Sequence, residues 1–311
     1  MRVAWCFPGQ GSQVVGMGRD VADAFPAARE VFERADQALG EKLSALCFEG
    51  PEDALTLTRN TQPAIVTTSV AILAALRART NVPVPESAAG HSLGEYSALV
   101  ASGALSLEDA VRVVRLRGEA MQEAVPAGAG AMAAVMGLSP EKLAEICEEA
   151  KQGEVVSPAN YNAPGQIVIA GHAAAVQRAS KLVAERQGKA IPLKVSAPFH
   201  CSLMAPAAKK LAACLETVAI APLAFPVLAN VDARPNQDAR RVKELLVQQV
   251  DHPVRWEETV RAMADSGVTH ILEIGPGKVL AGLVRRIAKS IEVFPVGNVD
   301  GIEAAAQLFG S

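Results

Sequence analysis

A serine between two glycines is the residue of this sequence best suited to covalent chemistry. Ser92 is the third residue of Gly-His-Ser-Leu-Gly, residues 90–94, where an apolar segment gives way to helix-forming sequence. A Gly-x-Ser-x-Gly turn between a strand and a helix is a nucleophile elbow, whose small residues let the chain turn sharply and expose the hydroxyl. The helix start directs backbone N–H groups, including that of Leu93, toward a developing oxyanion. The pattern predicts acyl transfer through Ser92, and a glycine-rich turn before a buried helix is the structural alternative.

A nucleophilic serine needs a base, and the sequence contains five histidines. His91 adjoins the serine, and its side chain is expected to point away from the hydroxyl. His200 lies in a loop, residues 196–202, and loops positioned by a rigid scaffold often carry catalytic groups. The remaining histidines are explained equally well by structural roles: His172, His252 and His270. Position alone therefore favours His200 without excluding the others.

A serine–histidine pair is usually completed by an acid that orients the imidazole. No Asp or Glu between Ser92 and His200 stands out for this role. Because thioesters are already activated acyl donors, a backbone carbonyl that accepts from Nδ1 and fixes the tautomer would suffice. Cys201, next to the histidine, is an alternative nucleophile, although a small packing residue is the simpler interpretation.

Composition and charge exclude several classes of function. The 311 residues carry a formal net charge of −3 and a pI near 6.0, which argues against non-specific binding of nucleic acid. The five cysteines include no Cys-x-x-Cys pair, so a reducing compartment without disulfides is expected. The apolar stretches fall short of the about 20 residues that span a bilayer, and the first residues lack the layout of a signal peptide. A cytoplasmic enzyme without membrane contact is the expectation.

No metal, nucleotide or other cofactor is predicted. The segments Gly-Gln-Gly at 9–11 and Gly-Pro-Gly-Lys at 275–278 superficially resemble phosphate loops, but neither matches a dinucleotide or P-loop fingerprint. The spacings of histidine and cysteine match no metal-ligand pattern.

The elements around the serine predict a mostly parallel α/β sheet with helices on both faces. Strands are predicted at 3–7, 227–230 and 269–274 and before the serine turn. Helices are predicted, from apolar residues at helical spacing, at 20–39, 62–79, 94–102, 107–125, 206–217, 241–250 and 256–266. The tail, 301–311, is weakly patterned.

A segment with a different order of predicted strands and helices interrupts this core. Strands are predicted at 131–137, 155–159, 166–170 and 190–195, helices at 139–151 and 173–187, and an Asn-Tyr-Asn-Ala-Pro-Gly turn at 160–165. The order βαββαβ is that of a ferredoxin-like unit, and about 70 residues suffice for a compact one. The predicted domains are a large α/β core of residues 1–126 and 198–311 and a small subdomain of residues 127–197.

Several segments, taken together and in this order, resemble one enzyme family. They are Phe-Pro-Gly-Gln-Gly-Ser-Gln at 7–13, Gly-His-Ser-Leu-Gly-Glu-Tyr at 90–96, Arg-Leu-Arg-Gly at 115–118 followed by Met121, Asn-Tyr-Asn-Ala-Pro-Gly at 160–165, Pro-Phe-His at 198–200 and Glu-Ile-Gly-Pro-Gly at 273–277. The chain closely resembles, essentially from end to end, the malonyl-CoA:acyl carrier protein transacylases of dissociated (type II) bacterial fatty acid synthesis. The resemblance implies an α/β-hydrolase-like core with an inserted ferredoxin-like subdomain.

The resemblance also implies a role for each matching position. Ser92 corresponds to the family's nucleophile and His200 to its general base. Gln10 and Leu93 occupy the positions whose backbone N–H groups form the oxyanion hole. Gln249, before Val-Asp-His-Pro-Val, occupies the position whose backbone carbonyl orients the histidine, which agrees with the missing acid.

Arg117 corresponds to the arginine that pairs with the malonyl carboxylate. Arginine is always charged and binds a carboxylate through two hydrogen bonds, so an acetyl group would leave a buried one unpaired. Leu93 and Phe199 are expected to leave little room beside the acyl α-carbon, which favours malonyl over methylmalonyl. Met121 is expected to line the same pocket. The structural alternatives are a solvated helix face for Arg117 and plain core for Met121.

The implied reaction is a ping-pong transfer of malonyl from malonyl-CoA to the phosphopantetheine thiol of acyl carrier protein. Basic residues in the second half of the insertion, and a basic run at 278–289, are either docking patches for an acidic carrier or ordinary solvated faces. The alternatives are a serine esterase or thioesterase, which has no need of Arg117, a non-catalytic carrier-binding module, and a transacylase of polyketide synthesis. A monomer without a cofactor is expected.

Overall fold

The computed structural model describes residues 1–310, which form two β-sheets with helices packed on them. Within these residues the strands are β1 Val3–Phe7, β2 Ser87–Gly90, β3 Gly130–Met136, β4 Val156–Ala163, β5 Gln166–His172, β6 Lys189–Pro192, β7 Val227–Leu228, β8 Pro235–Asn236, β9 His270–Ile274 and β10 Glu292–Val296. The α-helices are α1 Arg19–Ala24, α2 Pro26–Leu39, α3 Leu43–Glu49, α4 Glu52–Thr56, α5 Thr58–Arg79, α6 Gly94–Ala101, α7 Leu107–Glu123, α8 Pro140–Lys151, α9 Ala173–Glu185, α10 Ala205–Glu216, α11 Ala239–Asp251, α12 Trp256–Asp265, α13 Val279–Ile287 and α14 Val299–Phe309. None of these helices is both long enough and apolar enough to cross a membrane.

The large sheet has the strand order β10-β9-β1-β2-β7-β8. Its pairs are parallel except that of β7 and β8 at one edge. Strand β1 is buried along its whole length, as expected for a parallel strand covered on both faces. Its side chains alternate between two apolar cores, with Trp5 and Phe7 in one and Ala4 and Cys6 in the other. The predicted α/β architecture with a mostly parallel sheet is confirmed.

The small sheet is antiparallel, with the strand order β4-β5-β3-β6. Its strands lie within residues 130–192, inside the predicted insertion of 127–197, whose boundaries stay a prediction. One face carries Val135 and Ile169 into an apolar cluster with α8 and α9. The opposite face carries Met132 and Val168 into the main core. The small sheet is thereby packed against the large unit and closes one side of the site described below.

Some helices differ from their predicted bounds. The single helix predicted at 20–39 is two helices, because Phe25 is extended and Pro26 opens α2 at the position where proline is favoured. The helix predicted at 62–79 begins earlier, at Thr58, where polar residues are buried rather than exposed in a loop. The elements that sequence patterns did not predict are α3, α4, α13, α14, β8 and β10.

The turn predicted at 160–165 is mostly strand. Strand β4 extends to Ala163, and the reversal into β5 is left to Pro164 and Gly165, which has a φ of 67°. Register shifts along β4 bend the strand locally, as β-bulges do. The sheet, rather than a loop, therefore positions Asn162 at the site.

Candidate active site

Ser92 lies on a sharp turn between β2 and α6, at the carboxyl end of an inner strand of the large sheet. Its φ of 52° is in the left-handed region, which residues with a side chain rarely adopt and which a nucleophile elbow requires. A Cβ atom at Gly90 would lie 1.9 Å from the carbonyl carbon of Gly94, and one at Gly94 would lie 2.3 Å from the carbonyl oxygen of Phe7. Gly90 is therefore needed for the turn to close on itself, and Gly94 for the turn to pack against β1.

The Oγ atom of Ser92 lies 2.8 Å from Nε2 of His200. On the other side of the ring, Nδ1 lies 2.9 Å from the backbone carbonyl oxygen of Gln249. A carbonyl only accepts, so Nδ1 carries the proton and Nε2 is left to accept from the serine hydroxyl. Burial, together with the nearby charge of Arg117, lowers the pKa of His200 to about 3, which keeps the imidazole neutral. The arrangement is that of a serine activated by a histidine.

The other candidates for this chemistry have different partners. Nε2 of His91 lies 2.8 Å from Oδ1 of Asn162, so that nitrogen is engaged although the ring lines the site cavity. Sγ of Cys201 donates to the carbonyl oxygen of Pro198 at 3.1 Å, and burial raises the pKa of this thiol to about 11. The cysteine is therefore a buried thiol rather than a reactive thiolate. The histidines that do not line the cavity are His172, His252 and His270.

Arg117, on α7, is a buried cation beside the nucleophile and is only 1 % exposed. Its guanidinium donates to the side-chain oxygens of Gln62 and Gln249, each at 2.8 Å, and to Oγ of Ser92 at 3.1 Å. Its Nε has no hydrogen-bond partner, and none of the ion pairs within residues 1–310 involves it. The alternative of a solvated helix face is wrong. A buried cation without an ion partner favours an anion brought by a ligand.

A cavity of about 180 Å³ opens over the Ser92–His200 pair, and Arg117 forms part of its wall. Its apolar walls come from the large unit and from the small sheet with the chain that follows it: Met121, Met132, Val168, Leu193, Val195 and Phe199. The two apolar side chains predicted from the resemblance, at 121 and 199, are thus among those that line it. Within residues 1–310, no group of three or more His, Cys, Asp or Glu side chains is arranged to hold a metal ion.

Two backbone N–H groups near the nucleophile are unpaired. Within residues 1–310, neither the N–H of Gln10 nor that of Leu93 has a hydrogen-bond partner, whereas the N–H of Ser92 donates to Oδ1 of Asn230 at 2.6 Å. Gln10 lines the cavity, and Leu93 directly follows the nucleophile. The side chain of Leu93 is 1 % exposed and does not line the cavity, so its expected narrowing of the acyl site stays a prediction.

A buried polar network supports the turn from behind. The side chain of Asn230 holds both sides of the turn. Its Nδ2 donates to the carbonyl oxygen of Gly90 at 2.7 Å, and its Oδ1 accepts from the N–H of Ser92. The side-chain amide of Gln249 donates to the carbonyl oxygen of Ser92 at 3.0 Å and to Oε2 of Glu95 at 2.8 Å. The same carboxyl oxygen accepts from the backbone N–H of Asn230 at 3.0 Å. Burial raises the pKa of Glu95 to about 7.

Sequence reasoning missed several side chains that hold this site together: Gln62, Glu95, Asn162 and Asn230. Two of them lie in segments that carried the resemblance, at 90–96 and 160–165, and their position there was an available signal. The other two carry no local signal, because only the fold brings Gln62 to Arg117 and Asn230 to Ser92.

A wider groove, of about 590 Å³, adjoins the cavity. Gln10, Leu193 and Val195 line both, and the wall of the groove carries one charge of each sign, from Lys194 and Asp53. The groove therefore connects the serine with the surface of the small subdomain.

Known proteins similar to this chain form a consistent group. Residues 4–307 match the family described as acyl transferase domain. The malonyl CoA-acyl carrier protein transacylase of Bacillus subtilis strain 168 is 48% identical over 308 residues, which are 98% of this chain and 96% of that protein. The structure of the transacylase of the same name from Coxiella burnetii has a TM-score of 0.97 at 42% identity and covers 100% of this chain and 98% of its own. A malonyl-transacylase solved in complex with a type II polyketide acyl-carrier protein has a TM-score of 0.96 at 45% identity, covering 99% of this chain and 100% of its own.

Proposed function

The chain belongs to the acyl transferase family, and on this premise we propose that it is an acyl-carrier-protein S-malonyltransferase. It transfers the malonyl group of malonyl-CoA to the phosphopantetheine thiol of acyl carrier protein in fatty acid synthesis, through a malonyl ester of Ser92. The observation that carries the proposal is the buried guanidinium of Arg117, without an ion partner, 3.1 Å from the serine hydroxyl. An acyl group that ends in a carboxylate supplies the missing counter-charge.

In the first half-reaction, His200 takes the proton of the Ser92 hydroxyl as Oγ attacks the thioester carbonyl of malonyl-CoA. Negative charge develops on the carbonyl oxygen, and the unpaired N–H groups of Gln10 and Leu93 support a role as its donors. One such donor contributes about 100- to 1000-fold in rate. The C–S bond then breaks, and His200 returns the proton to the sulfur of coenzyme A.

In the second half-reaction, the thiol of the phosphopantetheine arm gives its proton to His200 and attacks the ester carbonyl. Collapse of this intermediate breaks the bond to Oγ, returns the proton to Ser92 and releases malonyl-carrier protein. The groove of about 590 Å³ beside the cavity is the route that both pantetheine arms use in turn. Coenzyme A takes part only as the carrier of the substrate, and the cycle needs no further cofactor.

Arg117 accounts for the choice of malonyl over acetyl. Leaving a buried charge without its partner costs roughly 3–5 kcal/mol, and an acetyl group has no carboxylate to offer. The same reasoning disfavours a general esterase or thioesterase, because hydrolysis of an uncharged acyl group gains nothing from a cation beside the nucleophile.

The carrier docks, in this proposal, at exposed lysines of the small subdomain, one of which lines the groove. Arg178 and Arg186, predicted as part of the same basic patch, are engaged in ion pairs with glutamates. Lys181, Lys189 and Lys194 are exposed and have no ion pair within residues 1–310, and Lys194 lines the groove. These lysines are therefore the better candidates for an acidic partner.

Charge reversal tests this docking surface. We expect Lys189→Glu and Lys194→Glu to raise the KM for carrier protein and to weaken its dependence on salt. Lys209→Glu, which changes an exposed lysine that lines neither the groove nor the cavity, is the control and should change neither. The basic run at 278–289 stays a prediction as a second docking patch.

The function is tested by the intact mass of the protein after incubation with malonyl-CoA. We expect the mass of one malonyl group to appear, to disappear when carrier protein is added, and to be absent from Ser92→Ala. Malonate released at the same rate with and without carrier would identify a hydrolase instead. An adduct on Ser92→Ala would overturn the assignment of the nucleophile. A parallel panel of fatty acid and polyketide carriers distinguishes the two pathways.

The chain acts, we further propose, as a monomer in the cytoplasm. Ser92, His200 and Arg117 all come from one chain, so a second copy is not needed to complete the site. All five cysteines are free, which supports a reducing compartment. Light scattering on the purified protein tests the first statement, and fractionation of cells tests the second.

A further inference from the structure

Glu95 lies directly behind the serine turn and has no role in the reaction as described above. The residue is 3 % exposed, and its side chain does not line the cavity. Its Oε2 accepts two hydrogen bonds, from the backbone N–H of Asn230 at 3.0 Å and from Nε2 of Gln249 at 2.8 Å. A carboxyl group in such a place is held by its partners rather than by solvent.

Gln249 is the residue through which this carboxyl group reaches the site. Its Oε1 accepts from the guanidinium of Arg117 at 2.8 Å, while its Nε2 donates to the carbonyl oxygen of Ser92 as well as to Glu95. A guanidinium only donates and a backbone carbonyl only accepts, so only one orientation of the amide satisfies every contact. The backbone carbonyl of the same residue holds His200.

We propose that Glu95 is a positioning residue for Arg117. By accepting from Nε2, it holds the amide of Gln249 so that Oε1 faces the guanidinium and keeps that cation beside the serine before any substrate arrives. The preference for an acyl group that carries a carboxylate is then set in part by a residue that touches no substrate. The inference rests on the proposed function, because it concerns the choice between malonyl and uncharged acyl donors.

The role requires an acceptor oxygen and does not require a negative charge. Arg117 and Asp232 are the charged groups that act on Glu95, with opposite effects on its pKa, and burial outweighs both. Because burial raises the pKa of this carboxyl group to about 7, neutral pH does not leave it fully ionised. The carbonyl oxygen of a neutral carboxyl group, or of a glutamine amide, accepts in the same place.

The experiment compares Glu95→Gln, which keeps an acceptor, with Glu95→Met, which has a similar volume and no acceptor. The measured quantity is kcat/KM for formation of the acyl-enzyme from malonyl-CoA and from acetyl-CoA. We expect Glu95→Met to lower the malonyl value about 10- to 100-fold, as for loss of a buried hydrogen bond, and to change the acetyl value less than about 3-fold. Glu95→Gln should keep the selectivity of the unmodified enzyme.

Gln249→Met removes the same link from the other side and keeps the backbone carbonyl that holds His200, so the test survives if Glu95→Met fails to fold. We expect Gln249→Met to lose selectivity for malonyl, and the double variant to be no less selective than Gln249→Met alone, because both changes act through one contact. Equal falls in the malonyl and acetyl values of Glu95→Met, additive losses of selectivity, or lost selectivity in Glu95→Gln would each overturn the inference. An unmodified enzyme that forms no malonyl adduct would overturn the proposed function instead.

Discussion

The guanidinium of Arg117 and the hydroxyl of Ser92 lie 3.1 Å apart, although they are 25 positions apart in the chain. The cation therefore lies within reach of a short acyl group that forms an ester with this serine. The arginine is held by two glutamine side chains, so the cation is positioned before any ligand arrives, and such preorganisation favours the binding of an anion. The proposed preference for an acyl group with a carboxylate rests on this relationship.

Replacing Arg117 by methionine removes the cation and keeps an apolar side chain. We expect kcat/KM for acyl-enzyme formation from malonyl-CoA to fall about 100- to 1000-fold, the equivalent of roughly 3–4 kcal/mol, while the value for acetyl-CoA is unchanged or higher. Both donors are followed by intact mass. Arg112→Met, on the exposed side of the same helix, is the control and should leave both values unchanged. A variant at 117 that still prefers malonyl-CoA would contradict the assignment.

The lowered pKa of His200 predicts a flat pH profile. A histidine with an ordinary pKa near 6.5 would be neutral in only about 3% of molecules at pH 5, and the rate would fall accordingly. Because burial lowers this pKa to about 3, the neutral base persists to well below pH 5. We expect the single-turnover rate of acyl-enzyme formation to change less than about 3-fold between pH 5 and pH 8. A fall in the rate centred near pH 6.5 would show that the base titrates normally.

The raised pKa of Glu95 predicts a contribution to stability that is lost as pH rises. The folded chain keeps this proton up to about pH 7, whereas the unfolded chain releases it near the ordinary value of 4.5, so the contribution of this group to the free energy of unfolding falls between these values. The difference amounts to about 3 kcal/mol. We expect Glu95→Gln to lack this contribution when urea unfolding is measured at pH 5 and pH 8. The same pH dependence in both proteins would mean that another group is responsible.

The serine turn should tolerate no side chain at Gly90. A Cβ atom there would lie 1.9 Å from backbone, so we expect Gly90→Ala to lower the free energy of unfolding by at least about 3 kcal/mol or to prevent folding. Gly282, inside helix α13, is the matched control, because a Cβ atom there meets no atom within 4 Å. We expect Gly282→Ala to stabilise the protein by about 0.5–1 kcal/mol. Urea unfolding measures the free energy of unfolding of both variants. Equal values for Gly90→Ala and Gly282→Ala would contradict the prediction.

Phe199 and Leu93 should have separable effects, because only the first lines the cavity. We expect Phe199→Val to increase acyl-enzyme formation from methylmalonyl-CoA relative to malonyl-CoA several-fold. Leu93→Ala should lower stability by about 2–5 kcal/mol, as for other buried leucines, and leave the preference between donors unchanged. A competition between the two donors, read by mass, measures the preference. A changed preference in Leu93→Ala would support the original expectation for its side chain.

The elbow was recognisable in the sequence because its constraints are local. The turn needs a glycine two positions before the serine and another two positions after it, and this spacing can be read directly from the chain. Arg117 was different, since Arg112 and Arg115 lie on the same helix and differ from it mainly in burial. In the sequence, only the resemblance to a known family singled out Arg117 among these three arginines. The structure explains the difference, because the packing of α7 buries Arg117.

The sequence alone determined the alternation of strands and helices, the βαββαβ order of the insertion and the serine turn. These features depend on hydrophobic periodicity and turn residues, which involve only positions close together in the chain. Only the tertiary structure decided which distant groups meet at the serine. His200 reaches it across 108 positions, Asn230 across 138 and the amide of Gln249 across 157. Such contacts depend on how whole elements pack, and a buried polar side chain can find its partner only after the sheet and helices have excluded water from both.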